Sequence, residues 1–185
     1  MEPTKQLSHI LPLLTDLTEG IEPDQLDHPT PCAEFTVHGV LDHAATLGGS
    51  LAYLFRGEEP PAMEPLPRGD EVPVAEVRKA MEDLLDAVRS PGAMERTIAS
   101  PAGTMPGETF ARFLAFDALV HGWDLARSTG QAYDPPARVV EAADEFARQA
   151  ITPEMRDGGL FAAPIDAPWD TSRLERLVAF SGRAI

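Results

Sequence analysis

The sequence predicts an all-α protein, a bundle of long helices joined by irregular loops. Apolar residues recur at helical spacing along most of the chain. Most prolines fall between those segments, with Pro12 inside the first. No strand–helix–strand alternation occurs, which removes the parallel-sheet folds. The 185 residues are enough for one domain, 1–185, with a sizeable core.

A first helix is expected over about 4–20, with Leu7, Ile10, Leu11, Leu14 and Leu17 on one side and Gly20 as its stop. The stretch "IEPDQLDHPTPCAEF" holds three prolines and reads as loop. Thr36 is placed to cap a second helix, about 36–57, which ends at Gly57. "EEPPAMEPLPRGDEVP" reads as a surface loop. A third helix, about 73–90, aligns Val74, Val77, Ala80, Met81, Leu84, Leu85 and Val88 on one face. "SPGAMERTIASPAGTMPGE" is broken by Pro and Gly and has room for a short strand pair around Arg96 to Ile98. A fourth helix starts near Pro106 and stops before Gly130. A fifth covers about 135–151, and a short last helix about 170–181, capped by Asp170 or Thr171.

Bulk properties narrow the function. The net charge of −15 disfavours nucleic acid and anionic membrane surfaces as partners. A single cysteine, Cys32, rules out an internal disulfide framework and suits a reducing compartment. No apolar run reaches the roughly 18 residues of a membrane span, and "MEPTKQLSHILPLL" lacks the pattern of a signal peptide. A cytoplasmic location is the expectation.

The fourth helix carries the chemistry. In "ETFARFLAFDALVHGWDLARSTG", Phe110, Phe113, Leu114, Val120 and Leu125 fall within about 80° of Asp117 on a helical wheel. His121 and Asp124 fall in the same arc. A carboxylate in an apolar stripe needs a partner, because burying it alone costs several kcal/mol or protonates it. A metal ion, a water-filled pocket or a group across the bundle would serve.

Asp117 and His121 stand four apart, on neighbouring turns of one face, so both can reach one ion. His43, beside Val40, Leu47 and Leu54 on the second helix, can supply a third ligand. Two histidines and a carboxylate leave coordination positions open, as catalytic metal sites do. On spacing alone, an ordinary core in which Asp117 and His121 bond each other explains the pattern equally well.

Other polar residues have less to say. Asp124 can orient a ligand from behind, pair with Arg127, or cap a loop. His38 falls on the opposite side of its helix from His43 and is expected in solvent. Trp123 reads as packing, and His9 and His28 lack companions at ligand spacing. Cys32 has no neighbouring His or Lys to activate it. Arg56, Arg96 and Arg112 are all able to clamp an anion, and spacing does not choose among them.

"TPCAEFTVHGVLDHAATLGG", "LVHGWDLARSTGQ" and "DTSRLERLVAFSGR" together resemble the mycothiol-dependent maleylpyruvate isomerase-like branch of the DinB superfamily. They are closest to its short actinobacterial subgroup of metal-binding proteins. The resemblance implies a DinB-like four-helix bundle with an extra short C-terminal helix. It also implies one divalent metal, zinc or nickel, held by residues matching His43, Asp117 and His121. The implied partners are a small-molecule thiol such as mycothiol and an electrophilic substrate, and bundles of this kind can pair as homodimers. Two features depart from the isomerases. They carry glutamate where this chain has the shorter Asp117, and a larger region where this chain has 152–185.

Three functions follow as expectations. The first is a metal- and thiol-dependent S-transferase or isomerase. The second is a non-catalytic metal-binding sensor or stress-response module. The third is a polar core that has lost its metal. An open pocket over the ligands with an arginine in reach favours the enzyme, and a site capped by side chains favours the module.

Overall fold

The computed structural model describes residues 1–100, 103–159 and 161–185. Helix α1 spans Pro3–Glu19, α2 Val37–Arg56, α3 Val74–Val88 and α4 Gly107–Thr129. These four form the bundle. In it α2 packs chiefly on α3, and α4 chiefly on α1, while α1 also meets α3. The α2–α4 seam is the loosest of the four. Leu7, Ile10, Leu41, Phe55, Val77 and Leu119 are fully out of solvent at its centre, and each such side chain contributes about 1.5–3 kcal/mol through burial.

Local chemistry sets the helix ends. The Thr36 hydroxyl accepts from the Gly39 amide at 3.2 Å, as its N-cap position requires. Gly57 and Gly130 both end their helices with left-handed backbone. The predicted strand pair exists: β1, Thr97–Ser100, runs antiparallel to β2, Gly103–Pro106. Pro101 and Ala102, which the sequence assigns to the same broken segment, lie outside the described residues.

Helix α5, Ala137–Ala150, packs on α4, and α7, Arg173–Phe180, packs on α5. The cap of α7 is Ser172 rather than Asp170 or Thr171. Its hydroxyl accepts from the Glu175 amide while the Glu175 carboxylate accepts from the Ser172 amide, a reciprocal pair. A further short helix, α6, Pro153–Asp157, was not expected. Thr152 caps it, and five residues are too few to show helical periodicity.

The single apolar stripe read for α4 understates its burial. Phe110, Ala111, Leu114, Ala115, Phe116, Leu119 and Leu125 are all buried, on every side of the helix. With α1, α2, α5 and α7 around it, α4 is the central helix of the fold. Among the described residues no helix is long and apolar enough to cross a membrane.

Candidate metal centre

The loop before α2 is tied to itself. The Thr30 hydroxyl donates to the carbonyls of Cys32 and Phe35 at 3.0 and 2.7 Å. Backbone bonds from Val37 to His28 and from His38 to Leu26 fasten its other side. Phe35 is thereby held over the start of α2, with its ring centroid 5.3 Å from that of His43 and 5.7 Å from that of His121. This aromatic wall shields one edge of the two imidazoles.

His43 on α2 meets Asp117 on α4 across the loose seam, and His121 joins them from the next turn of α4. His43 Nε2 lies 3.3 Å from Asp117 Oδ2, and His121 Nε2 lies 3.5 Å from Asp117 Oδ1. One ligand atom from each residue falls within 4.8 Å of the others. Ligands about 2.0–2.2 Å from one tetrahedral ion stand roughly 3.3–3.6 Å apart. Both imidazole–carboxylate separations fall in that range, to different oxygens of Asp117, and two imidazoles with a carboxylate are donor types that suit a divalent ion.

The electrostatics agree with a charged cluster. Burial works to raise the Asp117 pKa, but the neighbouring His121 charge, the His43 hydrogen bond and the more distant Arg183 outweigh it and bring it down to about 2. Burial alone would lower His43, yet its bond to Asp117 and the nearby Asp42 raise it above the ordinary 6.5.

Asp124 does not pair with Arg127 and does not cap a loop. It is fully buried, and its Oδ2 lies 3.0 Å from His121 Nδ1. On the other side it accepts from Arg183, whose Nη2 is 3.1 Å from the same oxygen. The contact occupies Nδ1 and leaves Nε2 as the His121 nitrogen that faces Asp117 and His43.

Arg183 borders the site without having been singled out from the sequence. Arg56 pairs with Asp83, Arg96 donates to the Phe55 carbonyl, and Arg112 pairs with Glu108. None of these three lines the site. The only sequence signal for Arg183 was the "SGR" of the resembling motif, since its partner Asp124 is 59 positions away. Gly182 makes the contact feasible. Its φ is +95°, and a Cβ there would stand 2.5 Å from that of Ala162, so the chain turns back only with glycine.

A cleft of about 560 Å³ opens above the three ligand residues. Arg156, Arg183, Phe161, Glu34 and Cys32 are part of its wall. Cys32 therefore borders the site, which its sequence neighbours did not indicate. Burial raises its thiol pKa above the ordinary 9.0, with Arg183 pulling weakly the other way.

His38 corrects an expectation. It is buried, with Nε2 3.4 Å from the Pro67 carbonyl. The proline-rich loop folds back along α2, anchored where the Leu66 amide donates to Asp42 at 2.6 Å. Wheel geometry for one helix cannot anticipate a loop that covers its outer side. Trp123 packs as expected. His9 lies beside Arg138, and His28 beside the Ser128 carbonyl, both away from the site.

The helical bundle is the architecture of a DinB-like protein. Within that superfamily, the chain belongs to the mycothiol maleylpyruvate isomerase N-terminal domain family, whose profile matches residues 7–126. Two uncharacterized proteins of Mycobacterium tuberculosis are similar along most of their length. MT0763, of strain CDC 1551 / Oshkosh, and Rv0738, of strain ATCC 25618 / H37Rv, are each 32% identical over 170 residues, covering 91% of either chain. No solved structure matches. The family match includes His43, Asp117, His121 and Asp124, while Arg183 lies beyond it.

Proposed function

We propose that His43, Asp117 and His121 hold one divalent metal ion, zinc or nickel, and that the protein is a mycothiol-dependent S-transferase or isomerase acting on a small electrophile. The observation that carries the reading is the convergence of three ligand atoms within 4.8 Å beneath an open cleft. Bound there, the ion would act as a Lewis acid that favours the thiolate form of a thiol at neutral pH.

The chain's own residues prepare that chemistry. Asp124 fixes the His121 tautomer, and Arg183 balances the buried Asp124 charge. Phe35 keeps water from one side of the imidazoles. Arg156 and Arg183 bring two guanidinium groups to the cleft wall, alongside Glu34. Cys32 stays a neutral thiol near pH 7, which supports a nucleophile brought from outside over one supplied by the chain. The family's name ties it to such a small-molecule thiol. One domain spanning 1–185 carries the whole site, since Arg183 reaches back to α4.

The alternative, a non-catalytic sensor or stress-response module, fits less well, because a cleft of this size leaves the ligand residues uncapped. Elemental analysis of untagged protein, beside His121→Ala, tests the metal. About one equivalent of zinc or nickel in the wild type, lost in the variant, is the expected result. No metal in either after reconstitution overturns the reading. Loaded protein is then given mycothiol and, in separate runs, monochlorobimane and a short linear alkyl halide. Conjugate formation supports the enzyme, and its absence together with no mycothiol binding leaves the module.

A further inference from the structure

The three ligand residues form a partition. On one side lies the broad cleft. On the other, a narrow pocket of about 30 Å³ reaches into the bundle between the four main helices. His43, Asp117 and His121 line both spaces. Every other residue around the inner pocket is apolar or glycine, among them Leu14, Leu47, Gly48, Met81, Leu84 and Leu114.

The pocket has a structural origin. Helix α2 packs mostly on α3, and α4 packs more on α1 than on any other element, so the α2–α4 seam closes poorly. Small residues on both sides, Ala44 and Gly48 on α2 and Ala118 on α4, leave the gap unfilled. Met81 limits it from α3. A Cβ on Gly48 would lie 2.7 Å from the Met81 methyl, so that flexible thioether end already occupies the space nearest the helix.

Size and polarity define what fits. Room of this volume holds about one or two water-sized bodies, and away from the three ligand residues its walls offer water no donor or acceptor. A short carbon chain loses nothing there and gains burial.

We infer that the inner pocket is the subsite for the apolar end of the electrophile, a short unbranched aliphatic group of about one to three carbons, and that Gly48 and Met81 set the length limit. The inference rests on the metal–thiol reading above. The outer cleft takes the larger, hydrophilic thiol together with the reacting carbon, and only the apolar end of the electrophile passes the ligand residues into the inner pocket. With an alkyl halide, the sulfur forms a bond to the terminal carbon, the halide leaves with the electron pair of the carbon–halogen bond, and the thiol proton passes to solvent. Aromatic or branched electrophiles are excluded from this side by width.

The test uses metal-free protein and unreactive probes, 1-propanol and 1-hexanol, followed by NMR at the methyls of Met81, Leu14 and Leu114. Ordinary partitioning tightens about fourfold per methylene, so 1-hexanol binds far more tightly wherever length is unlimited. A length-limited pocket reverses that order. The expected result is a saturable shift of the Met81 methyl with 1-propanol, at least tenfold weaker affinity for 1-hexanol, and loss of the shift in Gly48→Ala. Met81→Ala should restore 1-hexanol binding. No saturable shift in the wild type, or tightening with chain length there, overturns the inference without reliance on any variant. Because no metal or thiol is present, its outcome is separate from that of the proposed function. Short-probe binding in a protein that takes neither metal nor mycothiol leaves the length-limited apolar pocket standing and overturns its assignment to an electrophile.

Discussion

The Nδ1 atom of His121 lies 3.0 Å from Oδ2 of Asp124, one turn further along the same helix, and Asp124 is wholly buried. That contact decides which imidazole nitrogen is free to face the cluster. Asp124→Asn should preserve shape while removing the charge that holds the Nδ1 proton. Metal affinity should fall about 10–100-fold, read by competition with a chromophoric chelator. Asp124→Ala goes further, because it leaves Arg183 buried without its carboxylate. Destabilisation of about 3–5 kcal/mol is expected from that loss, measured by urea unfolding. Unchanged affinity in Asp124→Asn would show that Asp124 serves packing only.

Gly182 determines whether Arg183 arrives at all. Its positive φ and its closeness to Ala162 leave no room for a side chain. Gly182→Ala should cost about 1–3 kcal/mol through backbone strain, and the displaced Arg183 should weaken metal binding in the same direction as Asp124→Asn. The double variant Gly182→Ala with Arg183→Ala should then lose little further affinity, since both changes break one contact. Additive losses would show that the two residues act separately.

The bundle was legible in the sequence because its signal is local. Helical spacing and the Thr36, Gly57 and Gly130 boundaries each sit within a few residues of what they control. His43, Asp117 and His121 could be singled out because two of them share one helix turn and the third lies on an apolar border. Arg183 and Cys32 could not, because their relation to α4 depends on how the chain returns across the bundle after α7 and before α2. His38 failed for the same reason, in that a proline-rich loop with no periodicity covers it. The α7 cap was misplaced by one or two residues, where Asp170, Thr171 and Ser172 are all competent by type and only the partner Glu175 selects among them.

The His43–Asp117 pair gives metal-free and metal-bound protein opposite pH responses. Asp117 is lowered from 3.8 to about 2, so its contribution to stability is present above pH 3.8 and is lost as pH falls toward 2. His43 is raised from 6.5, so its contribution is present below 6.5 and is lost as pH rises through the raised value. Metal-free protein should therefore gain most from this pair between pH 4 and 6.5, relative to His43→Ala. Metal needs the neutral imidazole, so affinity should fall by about tenfold per pH unit below the His43 pKa. Thermal shifts on zinc addition at pH 6, 7 and 8 should grow with pH while the metal-free advantage over His43→Ala shrinks. Parallel pH trends for the two quantities would contradict the assignment of His43.

Cys32 distinguishes a chain-supplied from an external nucleophile. It borders the cleft, but burial raises its pKa. Iodoacetamide should label it slowly at pH 7, with the rate still rising beyond pH 9. Cys32→Ser should retain mycothiol-dependent conjugation within about twofold, because a raised thiol pKa leaves little thiolate to share in the reaction. Burst labelling at neutral pH, or loss of turnover in Cys32→Ser, would instead make the cysteine the attacking group and assign the bound ion to its activation.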